Sequence, residues 1–149
     1  MKRFFVTAIL VAASIVGVQA QDAKEVNKNA PQFSFKGGET WDFGTIKEGP
    51  VAEHVFEFKN TGKEPLIITN ASASCGCTTP EWPKEPILPG KTGKLTVRYN
   101  TQGRVAPFTK DVYIQSNAVV PGGQERYTIH IKGTVVADNK ASADAHPKQ

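Results

Sequence analysis

Cysteine, methionine and tryptophan are scarce, at two, one and two among 149 residues. Two cysteines cannot build a disulfide-rich scaffold, and they cannot supply a four-thiolate zinc site. An excess of one charge is also missing. Eighteen basic residues face 14 acidic ones, a net +4, which speaks against an electrostatic nucleic-acid partner. Beyond the first twenty residues there is no apolar run of membrane-spanning length and no apolar repeat at helical spacing. A Gly-x-Ser-x-Gly elbow and a His-Glu-x-x-His helix are both lacking, which removes two common hydrolase signatures. Gly90-Lys91-Thr92-Gly93-Lys94 has only two residues between its glycines, and Leu95 follows the lysine. A phosphate loop needs four, then Ser or Thr, so this stretch reads as a turn before a strand.

The first twenty residues carry an address. Lys2 and Arg3 precede the apolar run Phe4 to Val18, and Val18-Gln19-Ala20 closes it with small residues at the two recognition positions. This order describes a secretory signal peptide, residues 1–20, cleaved after Ala20. The run of about 15 residues is short of the roughly 18–20 that span a bilayer. The expected location is periplasmic or secreted. Without the leader, 16 basic residues face 14 acidic ones, a net +2.

Residues 21–30 are polar and aperiodic and read as a linker, and residues 138–149 lack large apolar side chains and read as a disordered tail. Between them, residues 31–137 alternate with period two. Leu95, Val97 and Tyr99 share one face against Lys94, Thr96 and Arg98. Tyr127, Ile129 and Ile131 alternate with Thr128, His130 and Lys132. Val112 and Ile114 alternate with Tyr113 and Gln115. His54, Phe56 and Phe58 oppose Glu53, Glu57 and Lys59. Leu66 to Thr69, Phe33 to Lys36 and Thr40 to Phe43 are shorter candidates. Asn60-Thr61-Gly62-Lys63, Pro89-Gly90 and Pro121-Gly122-Gly123 supply turns. About seven short strands without helices predict an all-β, immunoglobulin-like antiparallel β-sandwich.

The ordered set Phe43-Gly44, Phe58 with Asn60 and Gly62, Cys75-Gly76-Cys77-Thr78, Pro89-Gly90, Gly103-Arg104 and Ser116-Asn117 resembles a large bacterial family of exported proteins of unknown function. That family has an immunoglobulin-like domain related to hydin-type domains. The resemblance spans roughly Gln32 to Val136 and implies the fold. It implies no activity.

Cys75, Gly76, Cys77 and Thr78 form the candidate site, with Trp82 as a possible cover for the loop. Four readings compete. A bridge between residues i and i+2 needs a bend, which Gly76 could supply through positive φ. By loop entropy such a ring contributes about 1.6 kcal/mol, against about 4.7 for a 100-residue loop. Two thiolates could instead hold Cu(I). Zinc would need two more ligands from His54, His130 and His146, and no spacing supports that. A thiol–disulfide catalyst places its pair at a helix start, and Pro80 and Pro83 oppose a helix here. The plain reading is a structural loop at one end of the sandwich, with its cysteines bridged in an oxidising compartment.

Other candidates have simpler explanations. Glu53 and Glu57 lie on one strand face and read as solvated. Trp41, Trp82 and Tyr113 read as core or edge cover. The expectation is therefore a non-enzymatic binding or structural module of the bacterial envelope, without a cofactor and partnered by another envelope protein. The alternative is thiol redox or Cu(I) handling through the Cys-Gly-Cys loop.

Overall fold

The computed structural model describes residues 27–138. The expected signal peptide, most of the linker and all but the first residue of the tail lie outside this span. Eight strands form two four-stranded sheets. In chain order they are β1 (Phe33–Phe35), β2 (Thr40–Lys47), β3 (Val51–Asn60), β4 (Ile68–Ala73), β5 (Thr78–Glu81), β6 (Thr92–Asn100), β7 (Pro107–Ser116) and β8 (Tyr127–Val136). One sheet runs β1-β3-β6-β5 and the other β2-β8-β7-β4. This is the immunoglobulin-like sandwich, with a single 3-10 turn at Pro121–Gly123.

Alternation placed the core. Leu95, Val97, Tyr99, Val112, Ile114, Ile129 and Ile131 are all buried and form one cluster between the sheets with Phe56 and Phe58. Tyr99 stacks on Phe108 from the opposite sheet, with centroids 4.1 Å apart. Phe33 and Phe35 of β1 close one side against Phe58 and Tyr127.

The structure differs from the expectation in two details. The strands number eight, not seven, because Thr78–Glu81 pairs with β6 despite Pro80, which lies opposite Val97. Proline lacks an N–H and is tolerated where that position faces away from the ladder, at a sheet edge. The sandwich is also not wholly antiparallel, since β2 runs parallel to β8. The first edge segment switches sheets: β1 pairs with β3 and β2 pairs with β8. Gly37 and Gly38, at φ 86° and 92°, make the sharp crossing in a backbone region closed to most side chains.

The ordered domain also begins before residue 31. Ala30 is buried, and the Asn29 carbonyl accepts the Lys63 and Glu64 amides. At the other end, Asp138 pairs with Lys47 at 3.6 Å.

Three motif residues outside the cysteine loop, Asn60, Gly62 and Asn117, lock turns. Asn60 is fully buried. Its Nδ2 donates to the carbonyls of Glu64 and Ile87, and its Oδ1 accepts the amides of Gly62 and Gln32. A methyl on Gly62 would lie 2.2 Å from the Ala30 carbonyl oxygen, so only glycine fits beside that segment. Asn117 ties Ile67 and Pro65 to the end of β7.

Candidate functional site

The cysteine loop is the connection by which the chain leaves one sheet for the other. β4 ends at Ala73 in the second sheet, and β5 starts at Thr78 in the first. Only four residues, Ser74 to Cys77, make the crossing. Cys75 and Cys77 are disulfide-bonded, with Cα atoms 5.3 Å apart. That is shorter than two residues of extended strand, roughly 6.6–6.8 Å, so the loop is bent as the bridge requires. The bend does not use positive φ at Gly76, contrary to the expectation. The backbone turns instead through the Thr78 amide, which donates to the Cys75 carbonyl at 3.3 Å. Gly76 faces open space, and a methyl there would meet nothing within 4 Å.

Both flanks of the loop are pinned. The Ser74 amide donates to the Asp111 carbonyl at 2.9 Å, and the Ser74 hydroxyl accepts the Asp111 amide at 3.2 Å. On the other side, the Cys77 carbonyl accepts the Asn100 amide at 2.9 Å. The two residues differ in burial, since Cys77 is 8% exposed and Cys75 is half-buried. Buried Thr78 serves both, with its Oγ1 at 3.6 Å from the Cys75 sulfur and 3.8 Å from the Cys77 sulfur. Bridged sulfurs carry no proton, so the hydroxyl is the donor.

Trp82 follows β5. It packs against the core beneath the Lys84 ammonium, 3.2 Å from its ring centroid. Its indole N–H is buried without a protein partner. The ring's inward packing and the cation above it explain its burial without invoking a lid.

The bridged sulfurs are not thiolates and so are not ligands for a soft ion in this state. No group of three His, Cys, Asp or Glu side chains converges among the described residues. The two described histidines are committed elsewhere. His54 stacks on Trp41 at 3.8 Å between centroids and meets the Phe56 ring edge-on. Burial there pushes its pKa below the usual histidine value. His130 Nδ1 lies 2.8 Å from an Asp111 carboxylate oxygen on the outer face of the β7–β8 pair.

The carboxylates Glu53 and Glu57 do not face each other as an acid–base pair. Arg98 binds Glu53 at 2.6 Å and also Glu81. Glu57 lies between Lys36 and Lys94, 3.7 Å from each. These residues form an ion-pair lattice across β3, β6 and β5. A cleft of about 380 Å³ is lined by Glu39, Gln124, Tyr127, Thr128 and His130. In it the Tyr127 hydroxyl donates to Glu39. Burial and that carboxylate raise the phenol's pKa, which keeps it protonated. Sequence periodicity did not reveal this cleft, because Glu39 is far along the chain from its partners.

The architecture defines an all-β immunoglobulin-like domain with a disulfide-closed crossover. Residues 33–135 match the family described as "Protein of unknown function (DUF1573)", and the chain belongs to that family. No curated protein matches the sequence. Among solved structures, the chain is similar to a protein of unknown function from Porphyromonas gingivalis W83, at 16% identity and TM-score 0.62. That match covers 76% of this chain and 51% of the other, so the chain spans about half its relative's length. It is also similar to PapD-like domain 7 of human CEP192, described as an ASH / PapD-like domain. There the identity is 10% and the TM-score 0.60, covering 92% of this chain and all of that one. Part of the Vibrio cholerae VesB protease is similar at 16% identity and TM-score 0.56, covering 69% of this chain and 32% of that one. At such identities these likenesses show the fold alone.

Proposed function

We propose that this chain is a non-enzymatic binding module of the bacterial cell envelope that takes an extended segment of another envelope protein along the open edge of β3. The observation carrying this reading is the mismatch between β1 and β3. β1 covers only Phe58 to Asn60 of the ten residues in β3. Among the described residues, no strand pairs with Val51 to Phe56 on that side. The Glu57 carbonyl points to β1, where it accepts the Lys36 amide. By strand alternation, Glu53 and Val55 aim their backbone N–H and C=O the same way, at the open edge. An incoming strand would find hydrogen-bonding groups there, as in β-augmentation. Its inward side chains would meet the Trp41–His54 stack, where Trp41 is 40% exposed. The signal-like leader and the family resemblance support the envelope location.

Val55→Pro tests the reading. Residue 55 turns its N–H away from β6, so proline leaves that ladder intact while blocking the edge. A photo-crosslinker at Val51 should capture one defined envelope protein in the otherwise unaltered chain, and the Val55→Pro change should abolish that adduct with the fold retained. Capture that persists in the proline variant would refute the edge. Capture lost instead in a Cys75→Ser, Cys77→Ser double variant that still folds would favour redox use of the loop over this reading.

A further inference from the structure

The disulfide lies at the lateral edge formed by β4 and β5, opposite the edge formed by β1 and β2. Its chemistry is therefore independent of strand addition at β3. Three features of the loop are hard to reconcile with a purely structural staple. The ring closes over only three residues, so it constrains little of the unfolded chain. Residue Cys77 is buried whereas Cys75 is only half-buried, which gives the bridge a direction of attack. A buried hydroxyl, Thr78, is placed to donate to either sulfur once it becomes a thiolate.

We infer that Cys75–Cys77 is a thiol-exchange site, opened within the folded domain by a dithiol reductant that enters at Cys75. The first thiolate attacks the Cys75 sulfur. The S–S bond breaks, its electron pair leaves on the Cys77 sulfur, and the Thr78 hydroxyl donates to that thiolate. The intermediate is a mixed disulfide between Cys75 and the reductant. The Cys77 thiolate sits two residues away, at very high effective concentration, and re-closes onto Cys75 faster than a second monothiol arrives. Only a reductant carrying its own second thiol resolves the mixed disulfide in competition with that return. Its second thiolate attacks the reductant's sulfur in the mixed disulfide and releases Cys75 as a thiolate. The reductant ends as a disulfide, and its two protons pass to the two cysteines. The pins to Asp111 and Asn100 run through Ser74 and the Cys77 carbonyl, outside the disulfide ring, so the sheets hold while the bridge is open.

The test uses the folded wild-type protein with dithiothreitol or reduced glutathione at equal thiol concentration. Samples are quenched in acid, alkylated and mapped by peptide mass, while tryptophan fluorescence and hydrogen exchange follow the fold. The expected result is complete opening by dithiothreitol with the fold intact, and a glutathione adduct confined to Cys75 with little net reduction. Opening only under conditions that unfold the domain would overturn the inference, as would an adduct on Cys77 or equal reduction by both reagents. A Cys77→Ser variant provides a second check, since its lone Cys75 should exchange with oxidised glutathione in the native state, and protection there would also overturn it. In Thr78→Val, opening should slow about tenfold, the factor that one hydrogen bond of ordinary strength is worth. The alkylation pH profile of reduced Cys77 should move to higher pH. An unmoved profile would remove Thr78 from the mechanism.

Discussion

Removing the Asn60 side chain should cost this domain about 3 kcal/mol. The side chain makes four hydrogen bonds, to the carbonyls of Glu64 (2.8 Å) and Ile87 (2.9 Å) and from the amides of Gly62 (3.0 Å) and Gln32 (3.4 Å). The Ile87 carbonyl keeps the Leu66 amide as a second partner. The backbone of Asn60 also keeps its bonds with Lys91 and Gly90. Asn60→Ala therefore orphans three groups, the Glu64 carbonyl and the Gly62 and Gln32 amides. Each costs roughly 1–3 kcal/mol when buried, and these are partly buried, which places each near 1. Against a typical total of about 5–15 kcal/mol this is a large fraction. Urea denaturation should show a lower midpoint with an unchanged slope, and the melting temperature should fall by roughly 12–24 °C. Asn60→Asp sharpens the test. It keeps the two acceptor contacts but sets a carboxylate oxygen against two carbonyls. At neutral pH it should be worse than alanine, and its deficit relative to the parent should shrink as the acid protonates. A loss below about 1 kcal/mol for Asn60→Ala would mean that water replaces the side chain and that these four bonds add little to stability.

Other consequences can be checked by the same melts. Gly93→Ala puts a methyl 2.4 Å from a ring carbon of buried Phe58 and should cost about 1–3 kcal/mol by overpacking, whereas Gly76→Ala should change stability by less than about 0.5 kcal/mol. The Cys75→Ser, Cys77→Ser double variant should lose about 1.6 kcal/mol and still give the same far-UV spectrum. For His54, burial lowers the folded pKa below the usual histidine value of about 6.5. The unfolded chain then binds more protons below that pH, so stability is full above about 6.5 and falls as pH drops through the folded value. In His54→Phe this component of the acid loss should vanish, and an unchanged slope between pH 5 and 7 would contradict it.

Period-two alternation located four strands and their buried faces, and shorter candidates marked parts of three more, because a half-exposed sheet repeats every two residues whatever lies opposite. It missed β5, where Pro80 reads as a breaker unless the strand is known to lie at an edge. It could not show the parallel β2–β8 pair, because strand direction leaves no local mark on the sequence. The resemblance of the ordered motif set gave the fold, yet it could not separate framework from site. Asn60, Gly62 and Asn117 proved to be turn locks, which depends on which distant carbonyls and amides surround them.

The sequence by itself determined the sandwich and marked the close spacing of Cys75 and Cys77 as the chemical oddity of the chain. These properties lie in neighbouring residues, in alternation, order and spacing. Tertiary structure decided that the cysteine loop is the crossing between sheets, that Cys75 is less buried than Cys77, and that Thr78 faces both sulfurs. It also decided that β1 leaves most of β3 uncovered. Access and open edges depend on what the rest of the chain covers, and burial arises only when distant strands pack together.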